Sequence, residues 1–178
     1  NPTGPVHAGH ARGAAYGDSV ARLLERCGYA VTREFYINDR GVQMDMFGAS
    51  LRAAALGLPT PENGYRGAYI AELAAEIVAE DAAILELPED EQFVAFREAG
   101  YRLQLAQQQD TLNTFHTYFD TWFSERSLHA DGGVERALEK LRAQGHVYEL
   151  DGAVWLRTTD FDDDKDRVLI KANGDLTY

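Results

Sequence analysis

The opening stretch constrains the fold more than any other. Asn1-Pro2-Thr3-Gly4-Pro5 is a turn, Val6-His7-Ala8-Gly9-His10 comes next, and an amphipathic helix starts at once. The spacing predicts that helix over residues 10–27. Tyr16, Val20, Leu23, Leu24 and Cys27 fall at i, i+4, i+7, i+8 and i+11 and form one apolar face. Gly9, Gly13 and Gly17 make a second ridge. Glycine inside a helix costs about 1 kcal/mol against alanine, so close approach to a sheet or a ligand is expected along it. Gly28 ends the helix as a C′ residue. Helix N-termini attract phosphate oxygens, because their first amides have no partner within the helix. His7 and His10 can donate to those oxygens, and Gly9 keeps the approach free of a Cβ. The turn, the two histidines and the helix start therefore suit a nucleotide.

A strand and a second helix fix the fold class. Tyr29–Ile37 is rich in β-branched and aromatic residues and reads as a strand. Asn38-Asp39 are good N-cap residues for a second helix, with Val42, Met46, Ala49, Ala53 and Leu56 at helical spacing. Turn, helix, strand and helix in that order describe an α/β unit with a parallel sheet, whose ligands bind beyond the carboxyl ends of the strands. The His7–His10 turn and Asn38-Asp39-Arg40-Gly41 both belong at that edge. Asp39 and Gln43 are either site-edge residues or an N-cap and an exposed helix residue.

After a loop at Pro59–Gly67, Ile70, Leu73, Ala74, Ile77 and Val78 mark one helix. A longer one starts near Pro88-Glu89-Asp90-Glu91, where acids favour the helix dipole, and reaches about Phe119. Its glutamines, Gln107-Gln108-Gln109, read as exposed, and His116 as a partly buried structural histidine. Asp120–Leu128 is strand-like, Asp131-Gly132-Gly133 a turn, and Val134–Leu141 a helix ended by Gly145. Two hairpins close the chain, one turning at Asp151-Gly152 and one at Asn173-Gly174. The expected organisation is residues 1–58 as the first half of a nucleotide-binding fold, 59–128 as a helical segment with a further strand, and 129–178 as an α+β insertion with antiparallel hairpins.

With 45% apolar residues among 178, one sizeable core is expected. No apolar run is long enough for a membrane span. Cys27 is the only cysteine, which excludes an internal disulfide and a cysteine metal cage and suits a reducing, cytoplasmic setting. A net charge of −12 argues against nucleic-acid binding by these residues alone. Six carboxylates between Glu80 and Glu91 and five between Asp160 and Asp166 read as solvated loops. His7 and His10 have no evident third ligand, so no metal site is expected.

Several separated stretches resemble the arginyl-tRNA synthetases, members of class I of the aminoacyl-tRNA synthetases. Asn1-Pro2-Thr3-Gly4-Pro5-Val6-His7-Ala8-Gly9-His10-Ala11-Arg12-Gly13 is similar to that family's form of the HIGH signature. Tyr36-Ile37-Asn38-Asp39-Arg40-Gly41-Val42-Gln43, Phe123–Leu128 and Trp155–Leu169 resemble later blocks in the same order. The resemblance implies a Rossmann-like class I catalytic domain that stops before its sheet is complete. It also implies a reaction in two steps, from ATP and arginine to arginyl-adenylate with Mg²⁺ helping, and then to tRNA(Arg).

By that resemblance His7 and His10 stabilise charge developing on the phosphates. Thr3 and Gly9 belong with them in the ATP site, while Asn1 and Tyr178 contact arginine. The carboxylates expected for the guanidinium fall just before Asn1 and shortly after Tyr178. A KMSKS-type loop and an anticodon-binding domain are absent from these residues, so the chain looks like part of something longer. It is expected to be inactive alone, with tRNA contacts mainly elsewhere. Two other readings fit the opening stretch: another HxGH-type nucleotidylyltransferase, and a non-catalytic synthetase paralogue acting as a binding module.

Overall fold

The computed structural model describes residues 1–177, and Tyr178 lies outside them. The chain divides into two compact units, one spanning Asn1–Arg126 and one starting at Ser127.

In the first unit the order is α1 (Ala8–Arg26), β1 (Glu34–Ile37), α2 (Val42–Ala55), α3 (Ala68–Glu80), a short 3-10 helix (Ala82–Glu86), α4 (Glu89–Thr114) and β2 (Thr121–Ser124). β1 and β2 pair in parallel, with Glu34 opposite Thr121 and Ile37 opposite Ser124. A parallel pair needs a long crossover, and α2, α3 and α4 supply it. Phe35 stacks on Trp122 and meets Phe119 edge-on.

The crossover helices hold the main core: Met44, Phe47 and Leu51 from α2, Ile70, Leu73 and Ile77 from α3, and Phe96 and Leu103 from α4. α2 and α4 approach closely because glycines face the crossing. A Cβ at Gly100 would stand 2.2 Å from Leu51 Cδ1, and one at Gly48 would stand 3.0 Å from Arg97 Cα. A larger residue at Gly48 would push on the α4 backbone, and one at Gly100 would displace the buried Leu51 side chain. Ser50, also buried, donates back to Met46 O at 2.7 Å and accepts from the Tyr65 amide at 2.9 Å, tying the loop before α3 to α2.

Several sequence expectations change here. The strand is Glu34–Ile37, shorter than expected, since these are the residues with β2 alongside. The apolar face assigned to α1 is not a core face. Tyr16 is 75% exposed, Val20, Leu23, Leu24 and Cys27 are also exposed, and Ala21 is the buried residue of this helix. Amphipathic spacing says which residues belong together; it does not say that the same 178 residues cover them. The inward face of α2 is rotated as well. Ala53 is buried as expected, but Val42 is 77% exposed and Leu56 lies outside, whereas Met44, Phe47 and Leu51 are buried. These three face α3 and α4, the helices packed on α2, and that sets the rotation.

α4 stops at Thr114, five residues earlier than expected. His116 takes a left-handed conformation (φ 58°) that breaks the helix, and its side chain is exposed, 3.3 Å from the Tyr118 hydroxyl. Gln108 is only 5% exposed, so the glutamine run is not an outer face. The stretch after β2 is helical rather than extended, as α5 (Glu125–Ala130).

In the second unit α6 (Gly133–Ala143) is closed by Gly145 at φ 78°, ahead of β3 (Val147–Leu150), β4 (Ala153–Leu156) and β5 (Arg167–Ile170). These strands form one antiparallel sheet in chain order. Asp151 and Gly152 both have positive φ (52° and 75°), as a type I′ hairpin requires. The Asn173-Gly174 turn is different. Gly174 is left-handed and Asn173 is not, and the return chain pairs through an isolated bridge, Ile170 to Leu176.

The late acidic run is mostly exposed, as expected, and carboxylates in it are also hydrogen-bonded. Asp163 accepts two bonds from Arg167, both at 2.8 Å, and these hold its carboxyl far below the usual range. Asp166 accepts from the Thr159 amide and hydroxyl and from Tyr148, which lowers it too. Among the described residues no helix is long and apolar enough to cross a membrane.

Candidate functional site

His7 is the N-cap of α1 and holds it by its ring. Its Nδ1 accepts the Gly9 amide at 3.1 Å, while His10 Nδ1 accepts the His7 amide at 3.3 Å. This is a capping box built from two histidines. The rings stack with centroids 3.7 Å apart and planes 22° from parallel. A Cβ at Gly9 would crowd this box, standing 3.0 Å from His7 Cε1. With both Nδ1 atoms accepting, each neutral ring carries its proton on Nε2. Both residues are exposed, so two Nε2–H donors lie at the surface of the helix start.

Burial and the neighbouring His7 hold the His10 ring below the ordinary value of 6.5. A histidine with a depressed value stabilises the fold above 6.5 and loses that contribution as pH falls through the native value. Protonated Nδ1 cannot accept the His7 amide, so the box should open in acid. Ring NMR should place the His10 midpoint below 6.5, with exchange of the His7 amide speeding up over the same range while α4 amides stay protected. A midpoint above 6.5 would refute this account of the cap.

The turn before α1 is held from behind. Gln108 Nε2 donates to Gly4 O at 2.7 Å and to Asn1 O at 3.1 Å, and the Tyr69 hydroxyl donates to Thr3 O at 3.0 Å. Thr3 itself is buried. In front, Asn1 Nδ2 donates to Gln43 Oε1 on the first turn of α2. The structure thus brings Asn1 and Gln43 together and joins the turn to the carboxyl end of β1.

Asn38 and Asp39 lie at that end, and both are buried. Neither is an N-cap. Gly41 starts α2, and Asp39, 0% exposed, points inward. Asp39 Oδ2 accepts from the Tyr101 hydroxyl at 3.1 Å and from Ser124 Oγ; Oδ1 accepts the Arg126 amide at 3.1 Å. Arg126 Nε donates to the Asp39 carbonyl, its Nη1 donates to Glu98, and its guanidinium lies 4.8 Å from the Tyr101 ring centre. Burial, then the adjacent Asp39, push the Tyr101 phenol up to about 12. Burial alone would raise Glu98, but bonds from Arg126 and Arg97 outweigh it and leave Glu98 below its usual range. One carboxylate therefore ties the ends of both parallel strands to α4.

The glycine ridge borders a cavity of about 580 Å³ between α1 and the β1 side of the sheet. A Cβ at Gly13 or Gly17 would meet nothing within 4 Å, so these glycines leave space rather than allow contact. Tyr69 and Tyr101 were not singled out by sequence, and Gln108 was read only as exposed helix. The available signal was polar residues interrupting the apolar stripe of α4, with Tyr101 and Gln108 seven apart on one face.

A histidine-capped helix start beside the carboxyl edge of a parallel pair defines a Rossmann-like α/β catalytic domain. Residues 1–178 match the family described as tRNA synthetases class I (R), catalytic domain. The chain belongs to that family. It is 57% identical over its full length to the arginine–tRNA ligase of Renibacterium salmoninarum and 53% to that of Frankia alni, and spans 32% of each. A crystal structure from Campylobacter jejuni, provisionally titled an arginyl-tRNA synthetase, superposes over the whole chain at TM-score 0.91 with 33% identity, and the chain covers 40% of it. The arginyl-tRNA synthetase of Plasmodium falciparum shares the fold at TM-score 0.60 and 16% identity, over 99% of this chain and 31% of that one.

Proposed function

We propose that the chain is the N-terminal part of the catalytic domain of an arginine–tRNA ligase, acting in translation in the cytoplasm. The whole protein activates arginine with ATP to arginyl-adenylate and transfers it to tRNA(Arg). The observation that carries this reading is the pair of stacked histidines whose ring bonds leave both Nε2–H groups at the surface of the start of α1. As the α-phosphate is attacked, negative charge grows on its oxygens, and donors fixed beforehand favour that state over the ground state. The helix start adds partial positive charge.

In this reading Gly9 lets the His7 cap form, and Thr3 supports the ATP site from inside the turn. Asn1 and Tyr178 belong to the arginine side, with Asn38, Asp39 and Gln43 at the edge of the site. Mg²⁺ arrives with the ATP phosphates as part of the substrate; among the described residues no cluster of three His, Cys, Asp or Glu could hold a metal. The division at residues 58/59 and 128/129 belongs to the same reading, with the later segment as an insertion.

The test is ATP–pyrophosphate exchange by the full-length protein with arginine, with and without tRNA(Arg). Exchange that depends on arginine supports the reading. Exchange indifferent to the amino acid would mark another nucleotidylyltransferase, and nucleotide binding without exchange a non-catalytic paralogue.

A further inference from the structure

Gln43 is exposed, lies on the first turn of α2, and reaches the site through Asn1. We infer that Gln43 is a positioning residue: it sets which way the Asn1 carboxamide faces and so presents an acceptor, Asn1 Oδ1, to a cationic N–H donor of the amino-acid substrate. The inference rests on the arginine-activating reading and extends it.

Two restraints act on Asn1 from opposite sides. Gln108, itself buried, fixes the backbone by donating to the carbonyls of Asn1 and Gly4. What remains free is the side chain, and a carboxamide is nearly symmetric in shape, with a donor on one arm and an acceptor on the other. Gln43 takes up one arm, its Oε1 accepting a hydrogen bond from Asn1 Nδ2. The arm left for a ligand is then Oδ1. Arginine carries N–H donors on both its α-ammonium and its guanidinium, so an acceptor is the arm it needs. A carboxamide turned the other way would set donor against donor and leave both unpaired on closure of the site.

The amide sense gives an ordered prediction for the full-length protein. Gln43→Glu can only accept, so it preserves the sense, and KM for arginine should stay within about threefold of wild type. Gln43→Leu removes the restraint and should raise that KM about tenfold, the scale of one lost hydrogen bond. Gln43→Lys can only donate, so it occupies Oδ1 and should raise KM about a hundredfold. KM for ATP should stay within about twofold in all three.

Charge alone could produce the Glu–Lys ordering, so Val42→Glu and Val42→Lys serve as controls on the adjacent exposed residue, whose apolar side chain cannot hydrogen-bond Asn1. An orientation effect leaves both Val42 variants near wild type, whereas a field effect shifts them in step with position 43 and overturns the inference. Equal losses in Gln43→Glu and Gln43→Leu, or KM for ATP rising alongside that for arginine, overturn it too. Lack of arginine-dependent exchange in the wild-type protein would instead remove the underlying reading.

Discussion

Replacing His7 or His10 by alanine in the full-length protein is expected to slow adenylate formation about 10²–10³-fold, the usual cost of removing one fixed donor from a charge-developing centre. ATP affinity should weaken only about threefold. The difference follows from geometry: both Nδ1 atoms are used within the protein, which leaves the Nε2–H groups at the surface of the helix start, where the developing phosphate charge is proposed to form. Because the rings stack on one another and close one capping box, the two substitutions should not add, and the double variant should fall close to the worse single one. His7→Ala also removes an N-cap, a cost of about 1 kcal/mol in stability. His7→Ser separates these effects. Serine accepts an amide as a cap but cannot reach a phosphate, so stability should return and the rate should not. Single-turnover adenylate formation together with ATP binding decides it, and parallel losses in both would reduce the histidines to binding groups.

Asp39→Leu should produce the largest loss of stability, about 3–5 kcal/mol. The Tyr101 hydroxyl, Ser124 Oγ and the Arg126 amide all lose their acceptor in a buried place, at about 1–3 kcal/mol each with partial relaxation. Asp39→Asn keeps one acceptor oxygen but sets an amide N–H against the remaining donors, and should cost about 1–2 kcal/mol. The shift in the urea midpoint of the catalytic domain measures both. The Tyr101 phenol gives an independent readout: it stands at about 12 partly because of the adjacent carboxylate, so its ultraviolet titration should move down in Asp39→Asn. An unchanged midpoint for Asp39→Leu would mean that these bonds do not hold the strand ends.

Much of this arrangement was legible in the sequence, for reasons that can be stated residue by residue. A parallel sheet followed from the order of elements, though the pairing of β1 with β2 across three helices did not, and the Asp151-Gly152 hairpin followed from two residues that tolerate positive φ. The helix start at His7–His10 was legible because a glycine between two polar residues is a local signal. What failed was anything set by distant partners. The α2 face depends on where α3 and α4 lie, which helical spacing does not encode. Asp39 looked like a cap because Asn-Asp before a helix usually is one; its actual partners, Tyr101, Ser124 and Arg126, lie 62 to 87 residues away. Gln108 resembled solvent-facing helix because its neighbours Gln107 and Gln109 are polar, and only the turn at Asn1–Gly4 makes it a clamp. The double role of the histidines, capping by Nδ1 and presenting Nε2–H, needed coordinates, since no spacing says which ring nitrogen is used.

The route between the two parallel strands also says something about time. Ser124 and Asp39 are 85 residues apart in the chain, yet they share a hydrogen bond at the strand ends. Contacts at such separation form only after a large loop has closed, whereas α2, α3 and α4 are sequence neighbours that can associate early. The helical layer is thus in a position to assemble before the sheet. Pairing of β1 with β2 and engagement of Asp39 then belong to one late event, and during synthesis that event waits until Ser124 and Arg126 have left the ribosome. Until then the carboxyl edge of the sheet has no fixed shape.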